Sequence, residues 1–345
     1  MAVLGYDVHQ VFEGRGVLEA ASIGVTLEEN DLALRCNLIC IENGNIKNHS
    51  AGHISNEESY ELIDFLNKKL GNEMIRFYPG VSYRHLLVIK GGKKHMNCTP
   101  PHDVPGQSFR PCLIKPENEE SAATAKLLNY LILRSQALLA EHPVNLKRKE
   151  TGKDVANSIW PWSPGYKPQM PTLKELFGIE KSAVISAVDL IQGIGVYAGM
   201  DVIKVEGATG LYDTNYEGKA LAAIEALKNH DLVYLHVEAS DEAGHEGNAE
   251  LKTKTIGYLD SRIVKYLVEE TEKMEEPVTI AILPDHPTPC STKIHTRDAV
   301  PFIIFKPGET PDETQFYDEF EVVKGAYGTL KGDQFMNALL NREVK

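Results

Sequence analysis

Two kinds of hydrophobic spacing divide the chain. Residues 11–25 (VFEGRGVLEAASIGV) are punctuated by glycine and read as a loop leading into a short helix. LRCNLICIENGNIKN then predicts a hairpin, with β-rich flanks around Glu42-Asn43-Gly44-Asn45. NEESYELIDFLNKKLG has helical apolar spacing, with Asn56 placed to cap it and Gly71 to end it. IRFYPGVSYRHLLVIKGG supplies strand material on both sides of Pro79-Gly80. A polar stretch rich in Pro and Gly follows over 91–117, and SAATAKLLNYLILRSQALLAEH predicts a long helix closed by Pro143.

Past residue 155 the pattern changes. SAVISAV, DVIKV, DLVYLHVEA, VTIAILP and VPFIIF are short apolar runs of strand length. Helix-like stretches such as YEGKALAAIEALKNH and LKTKTIGYLDSRIVKYLVEETEKM separate several of them. That alternation implies a largely parallel sheet with helices on both faces. The chain therefore divides into a leading stretch (1–25), an α+β module (26–150) and an α/β domain (151–345).

Composition narrows the function classes. At 345 residues and 42% hydrophobic content the chain can bury one large core or two smaller ones. A net charge of −13 argues against a nucleic-acid binder. It leaves room for a phosphorylated ligand held by a few local cations. Five scattered cysteines (36, 40, 98, 112 and 290), with no CxxC, make neither a disulfide framework nor a zinc knuckle. No apolar run approaches the ~20 residues of a membrane span. Met1 to Gly5 is too short for a signal peptide, so the expected compartment is a reduced cytoplasm.

The chemistry gathers at the ends of the predicted α/β strands. DLVYLHVEA runs into Ser240-Asp241-Glu242-Ala243-Gly244-His245, VTIAIL runs into Pro284-Asp285-His286, and His295 precedes VPFIIF. Ligand crevices of open α/β sheets lie outside the carboxyl ends of the strands. One Asp before a helix is usually a cap, and one loop His is usually solvated. Two Asp and three His in three such loops make a metal set instead, suited to Mn²⁺, Zn²⁺, Fe²⁺ or Mg²⁺.

Asp-x-x-x-His, then Asp-His after a strand, then a later His before a strand resembles the ligand order of the alkaline phosphatase superfamily. GRGVLEAASIGV, LRCNLICIENG, SAGHIS, PHDVPG, VISAVDLIQGIGVYAGM, GATGLYDTNYEGKA and SDEAGHEG, in order along nearly the whole chain, resemble the archaeal-type cofactor-independent phosphoglycerate mutases. The resemblance implies an α/β fold: an alkaline phosphatase-like three-layer α/β/α core with an inserted α+β cap. It implies two divalent metal ions, Mn²⁺ foremost with Zn²⁺, Co²⁺ or Mg²⁺ as alternatives, and no 2,3-bisphosphoglycerate. Asp241, His245 and His295 would hold one ion, and Asp285 and His286 would help hold the second. The second also needs an N-terminal Asp and a nucleophilic Ser, which the resemblance places upstream of Met1. The expectation is accordingly of a chain lacking its nucleophile and first core strand, binding one metal better than two and catalysing poorly.

The implied reaction moves phosphate between the hydroxyls of 3- and 2-phosphoglycerate through a phosphoserine, under a cap that excludes water. Its acidic substrate calls for cations. Arg15, in Gly-Arg-Gly, and Arg35 and Arg84, at strand-like positions, are the candidate clamp, each weighed against an ordinary surface ion pair. His102-Asp103 is a candidate acid/base pair, against a turn in which Asp103 bonds the local backbone. Lys219 is placed either on phosphate or on a solvated helix face. The expected partner is a small phosphorylated acid, with no nucleic acid and no membrane; a homo-oligomer stays open.

Three motifs are read structurally. Gly193-Ile-Gly195-Val-Tyr-Ala-Gly199 misses the dinucleotide spacing and reads as a helix packed tightly on a sheet. His49 and His53 read as cap structure or substrate contact. Trp160-Pro-Trp162 is followed by Ser163-Pro164-Gly165, where the family usually has Gly and a polar residue. That departure leaves room for a homoserine kinase-like enzyme or another phosphotransferase or phosphatase. A metal-binding scaffold without activity is the alternative of another class.

Overall fold

The computed structural model describes residues 1–343. The chain forms two compact units: Phe12–Gln169 is one, and Met1–Val11 with Met170–Lys345 is the other. After the short helix α1 (Val8–Val11) the chain enters the first of these. There it forms α2 (Arg15–Ser22), β1 (Asp31–Glu42), β2 (Asn45–Asn48), α3 (Asn56–Leu70), β3 (Ile75–Val81) and β4 (Arg84–Lys90). It continues through β5 (Met96–Asn97), β6 (Lys115–Pro116), α4 (Ala122–Leu139), α5 (Pro143–Glu150) and β7 (Ser158–Gly165). An antiparallel sheet of order β2-β1-β4-β3, with β7 also paired to β1, is its centre. β1 is buried over Asp31–Cys40, so neither of its faces meets water there.

This unit begins at 12 and ends at 169 rather than at 26 and 150. The apolar face of α2 (Val17, Leu18, Ala20 and Ala21) is buried, and β7 is bonded along β1 from Ala33 to Ile39. Local chemistry also adjusts two helix ends. The cap of α3 is Ser55, not Asn56: the Ser55 hydroxyl accepts from Glu58 N–H, while the Asn56 side chain accepts from Ser82 N–H. Helix α4 stops at Leu139, because His142 caps a new helix that starts at Pro143.

The other unit contains α6 (Leu173–Phe177), β8 (Ser182–Ile185), α7 (Asp189–Tyr197), β9 (Asp201–Ile203), α8 (Tyr216–Leu227) and β10 (Leu232–Leu235). After these come α9 (Ala239–Glu246), α10 (Ala249–Leu259), α11 (Lys265–Thr271), β11 (Ile280–Ile282), β12 (Ile303–Phe305) and α12 (Phe335–Leu339). Strands β10-β8-β9 make the expected parallel sheet. β11 and β12 do not extend it among the described residues. They form an antiparallel pair, because residues 283–302 turn back without the crossover helix that a parallel neighbour requires. Gly195 of α7 lies against β8, where an added Cβ would stand 2.4 Å from Val184 Cγ1. The Gly193–Gly199 motif is thus close helix–sheet packing.

Candidate metal centre and anion-binding face

Asp241 and His245 lie one turn apart on α9, so both project from the same side. Asp285 and His286 follow β11, and His295 lies in the connection to β12. These loops converge. His245 Nε2 is 3.3 Å from Asp241 Oδ2 and 3.0 Å from His295 Nε2, and His295 Nε2 is 3.5 Å from Asp241 Oδ1. The His286 ring stacks on His295 with centroids 3.7 Å apart. Asp241, His286 and His295 offer ligand atoms within 4.8 Å of one another. His286 thus lies with Asp241, 3.9 Å from its Oδ1, and with His295 as well as with Asp285, whose Oδ2 is 3.4 Å from His286 Nε2.

The donor set fits a divalent cation. His245 Nδ1–H donates to the Lys293 carbonyl at 2.9 Å, which leaves the Nε2 lone pair free to ligate. The Thr288 hydroxyl donates to Asp241 Oδ1 and orients that carboxylate. Imidazole nitrogens and a carboxylate turned toward one point have no other charge to meet there but a cation or a proton.

Beside these residues runs a polar chain of which the sequence marked only Lys219. Lys219 is not on a solvated face: it is buried, and its Nζ donates to the His236 carbonyl at 3.3 Å. Burial lowers its ammonium to about 8, with Glu238 opposing. Burial, aided by Glu242 and Asp241, pushes the Glu238 carboxyl up to about 7. Burial likewise draws His236 down to about 4. Its Nδ1 is 3.1 Å from Ser186 Oγ, which itself accepts from Val188 N–H. Ser186 and His236 each directly follow a parallel strand, which was the available signal.

The remaining predicted residues share one face of the other unit. Arg35 (β1) and Arg84 (β4) stand on adjacent strands. Asn37, directly opposite Arg84, is two residues from Arg35, so all three point to the same side. Arg35 packs 5.0 Å over the Trp162 ring and Arg84 5.6 Å over Tyr83. Trp162 Nε1–H donates to Asn37 Oδ1 at 3.1 Å. His49 adjoins Tyr83 and His102, and His102 adjoins Trp162. His102 Nε2 is 3.5 Å from Asp103 Oδ1, both side chains being exposed. Arg15 is not in a loop but is the first residue of α2. Glycine flanks it for a reason: a Cβ on Gly16 would stand 2.8 Å from Arg35 N, and one on Gly14 3.0 Å from the Pro164 carbonyl.

Charge on this face is only partly compensated. Arg35 reaches Glu19 at 3.3 Å, yet burial, with Arg15 and Arg84 adding to it, lowers its affinity for its proton. Burial, His102, His53 and Arg35 likewise hold His49 below its ordinary value. The Nε atoms of Arg35 and Arg84 are buried without a hydrogen-bond partner. Buried donors left unmade cost about 1–3 kcal/mol each, a cost that an anion bound at this face would remove.

Comparison with known proteins identifies the family. A family model described as 2,3-bisphosphoglycerate-independent phosphoglycerate mutase matches residues 1–145. A protein of that name from Methanosarcina acetivorans is 51% identical over 342 residues, covering 99% of this chain and 84% of the relative. The chain belongs to the 2,3-bisphosphoglycerate-independent phosphoglycerate mutase family. Among solved structures, a Pyrococcus horikoshii protein matches this family member with TM-score 0.81 and 31% identity, over all of this chain and 82% of the other. A cofactor-independent phosphoglycerate mutase from Thermoplasma acidophilum matches with TM-score 0.67 and 25% identity, over 99% of this chain and 84% of the other. The α/β architecture is thus that of cofactor-independent phosphoglycerate mutases.

Proposed function

We propose that this chain interconverts 3-phosphoglycerate and 2-phosphoglycerate without 2,3-bisphosphoglycerate, using divalent metal, Mn²⁺ foremost. The observation that carries the reading is the convergence of Asp241, His245, His286 and His295 in one unit of a phosphoglycerate mutase family member. Asp285 completes the set as a ligand of a second ion beside His286. When bound, the ions supply Lewis-acid charge neutralisation at phosphoryl oxygens and lower the pKa of a coordinated hydroxyl.

The protein's own residues do the rest. Arg35 and Arg84, with unused buried donors, and Arg15 bind the carboxylate and phosphate oxygens of the substrate as forks. Lys219, held by the His236 carbonyl, meets the phosphate as a point charge. His102, beside Asp103, takes the proton from the glycerate hydroxyl that is to accept phosphate and returns one to the hydroxyl that has lost it. The phosphoserine of the family relay is not assigned to any residue of this chain. We place the activity in the cytoplasm and in glycolysis, a reading supported by the family's substrate. Among the described residues no helix is long and apolar enough to cross a membrane.

The test is a coupled assay of 3- to 2-phosphoglycerate conversion with Mn²⁺ and no bisphosphoglycerate. Metal-dependent turnover abolished by Asp241→Asn is the expected result. Metal binding with no conversion, but turnover of homoserine with ATP or of another phosphoester, would overturn the substrate.

A further inference from the structure

The first N–H groups of a helix have no partner within the helix, and a glycine cap offers no side chain to satisfy them. Helix α2 begins with just that arrangement, Gly14 followed by Arg15. The Arg15 N–H is nevertheless satisfied, by the Ser163 hydroxyl at 3.1 Å, from 148 residues away in the chain. Ser163 occupies the left-handed region at φ 53°, where a side chain is disfavoured and glycine is not. It also precedes Pro164, which restricts its backbone further. At this position serine supplies a hydroxyl that glycine, the relaxed choice for the backbone, would lack.

What that hydroxyl holds matters. Arg15 and Glu19 are one turn apart on α2, and Glu19 pairs with Arg35 at 3.3 Å. Trp162, the neighbour of Ser163 on β7, lies under the Arg35 guanidinium. Two successive residues of β7 thus hold two of the cations on the anion-binding face, Trp162 through its ring and Ser163 through its hydroxyl. Gly14 allows this close approach, since a Cβ there would stand only 3.0 Å from the Pro164 carbonyl oxygen.

We propose that Ser163 is a positioning residue for substrate binding: by tethering the Arg15 amide it fixes the start of α2 and aims the Arg15 guanidinium at the bound anion. This rests on the reading of Arg15 as part of the substrate clamp. Ser163→Gly removes the hydroxyl and suits the backbone, so folding is retained. Ser163→Asn tolerates the left-handed backbone and restores a side-chain acceptor.

The experiment measures 3-phosphoglycerate affinity by calorimetry with Mn²⁺ present, thermal stability, and hydrogen exchange of the Arg15 amide. It uses the full chain and the variants Ser163→Gly, Ser163→Asn, Arg15→Ala and the Arg15→Ala/Ser163→Gly double variant. Ser163→Gly is expected to speed exchange at Arg15 and weaken binding about 3–10-fold with little change in Tm, the range that one lost hydrogen bond produces. Ser163→Asn should recover most of the affinity, and Ser163→Gly should add nothing once Arg15 is alanine. If Arg15→Ala weakens binding but Ser163→Gly does not, or does so equally in the alanine background, positioning by Ser163 is wrong while the clamp stands. If Arg15→Ala leaves affinity intact, the clamp reading of Arg15 falls and this proposal falls with it.

Discussion

His245 and His295, 50 residues apart in the chain, bring their Nε2 atoms to 3.0 Å of each other. With His245 Nδ1–H committed to the Lys293 carbonyl, a lone pair faces His295 Nε2, where a His295 N–H or a shared cation would meet it.

Metal affinity should therefore depend on the groups that orient these ligands as well as on the ligands themselves. Thr288→Val leaves Asp241 Oδ1 without its donor and should weaken Mn²⁺ binding about 10–100-fold, with His295→Ala weakening it at least as much. Titration calorimetry or the Mn²⁺ EPR signal reads both. At a free metal concentration one hundred times Kd, chelation should remove about 2.7 kcal/mol of stability.

Arg35 and Arg84 carry donors that lysine cannot replace. Arg35→Lys keeps the charge but loses the fork and much of the packing over Trp162, and Arg84→Lys does the same beside Tyr83. Each should weaken 3-phosphoglycerate binding by about 1.5–3 kcal/mol, the range for hydrogen bonds to charged groups, with Mn²⁺ affinity unchanged.

His85 gives an acid-stability signature. It is buried on β4 with Nδ1 accepting the Gly80 N–H, and burial draws it down to about 3. Between its ordinary value of about 6.5 and that folded value, the unfolded chain binds a proton that the native chain does not. The stability it contributes is present above that ordinary value and is lost as pH falls through the window, at up to about 1.4 kcal/mol per pH unit. His85→Asn keeps an acceptor for Gly80 and should flatten this slope. The chain's two tryptophans, Trp160 and Trp162, both lie in this unit, so fluorescence-detected denaturation reports on it directly.

Gly16 should not tolerate a methyl group. The nearest atoms to an added Cβ are backbone atoms of Leu34 and Arg35, which cannot swing aside, so α2 must shift. Gly16→Ala should destabilise by about 1–3 kcal/mol and weaken anion binding too. Gly257→Ala, within α10 and with nothing within 4 Å of the added atom, should instead stabilise by about 0.5–1 kcal/mol. Calorimetric melting compares the two.

Much was legible from the sequence because it rests on local chemistry. β-rich flanks marked β1, helical spacing marked α3 and α4, and short apolar runs marked the strands β8 to β12. Metal-type residues at strand ends marked the candidate centre, since strand and helix termini place side chains there whatever the packing. Arg35 and Arg84 were legible as strand residues, and Arg15 as a residue between two glycines. Tertiary structure decided the rest. That β11 and β12 pair antiparallel depends on a connection with no helix, and that α2 joins the unit of β1 depends on an apolar face meeting β7. Lys219 looks on paper like any helix lysine, and only packing shows that it is buried against the His236 carbonyl. Ser163 next to a proline gave no sign of holding Arg15, because a hydrogen bond across 148 residues exists only once β7 has closed onto β1. Periodicity and end-of-strand chemistry are properties of neighbouring residues. Burial, register and long-range partners arise only when distant segments exclude water together.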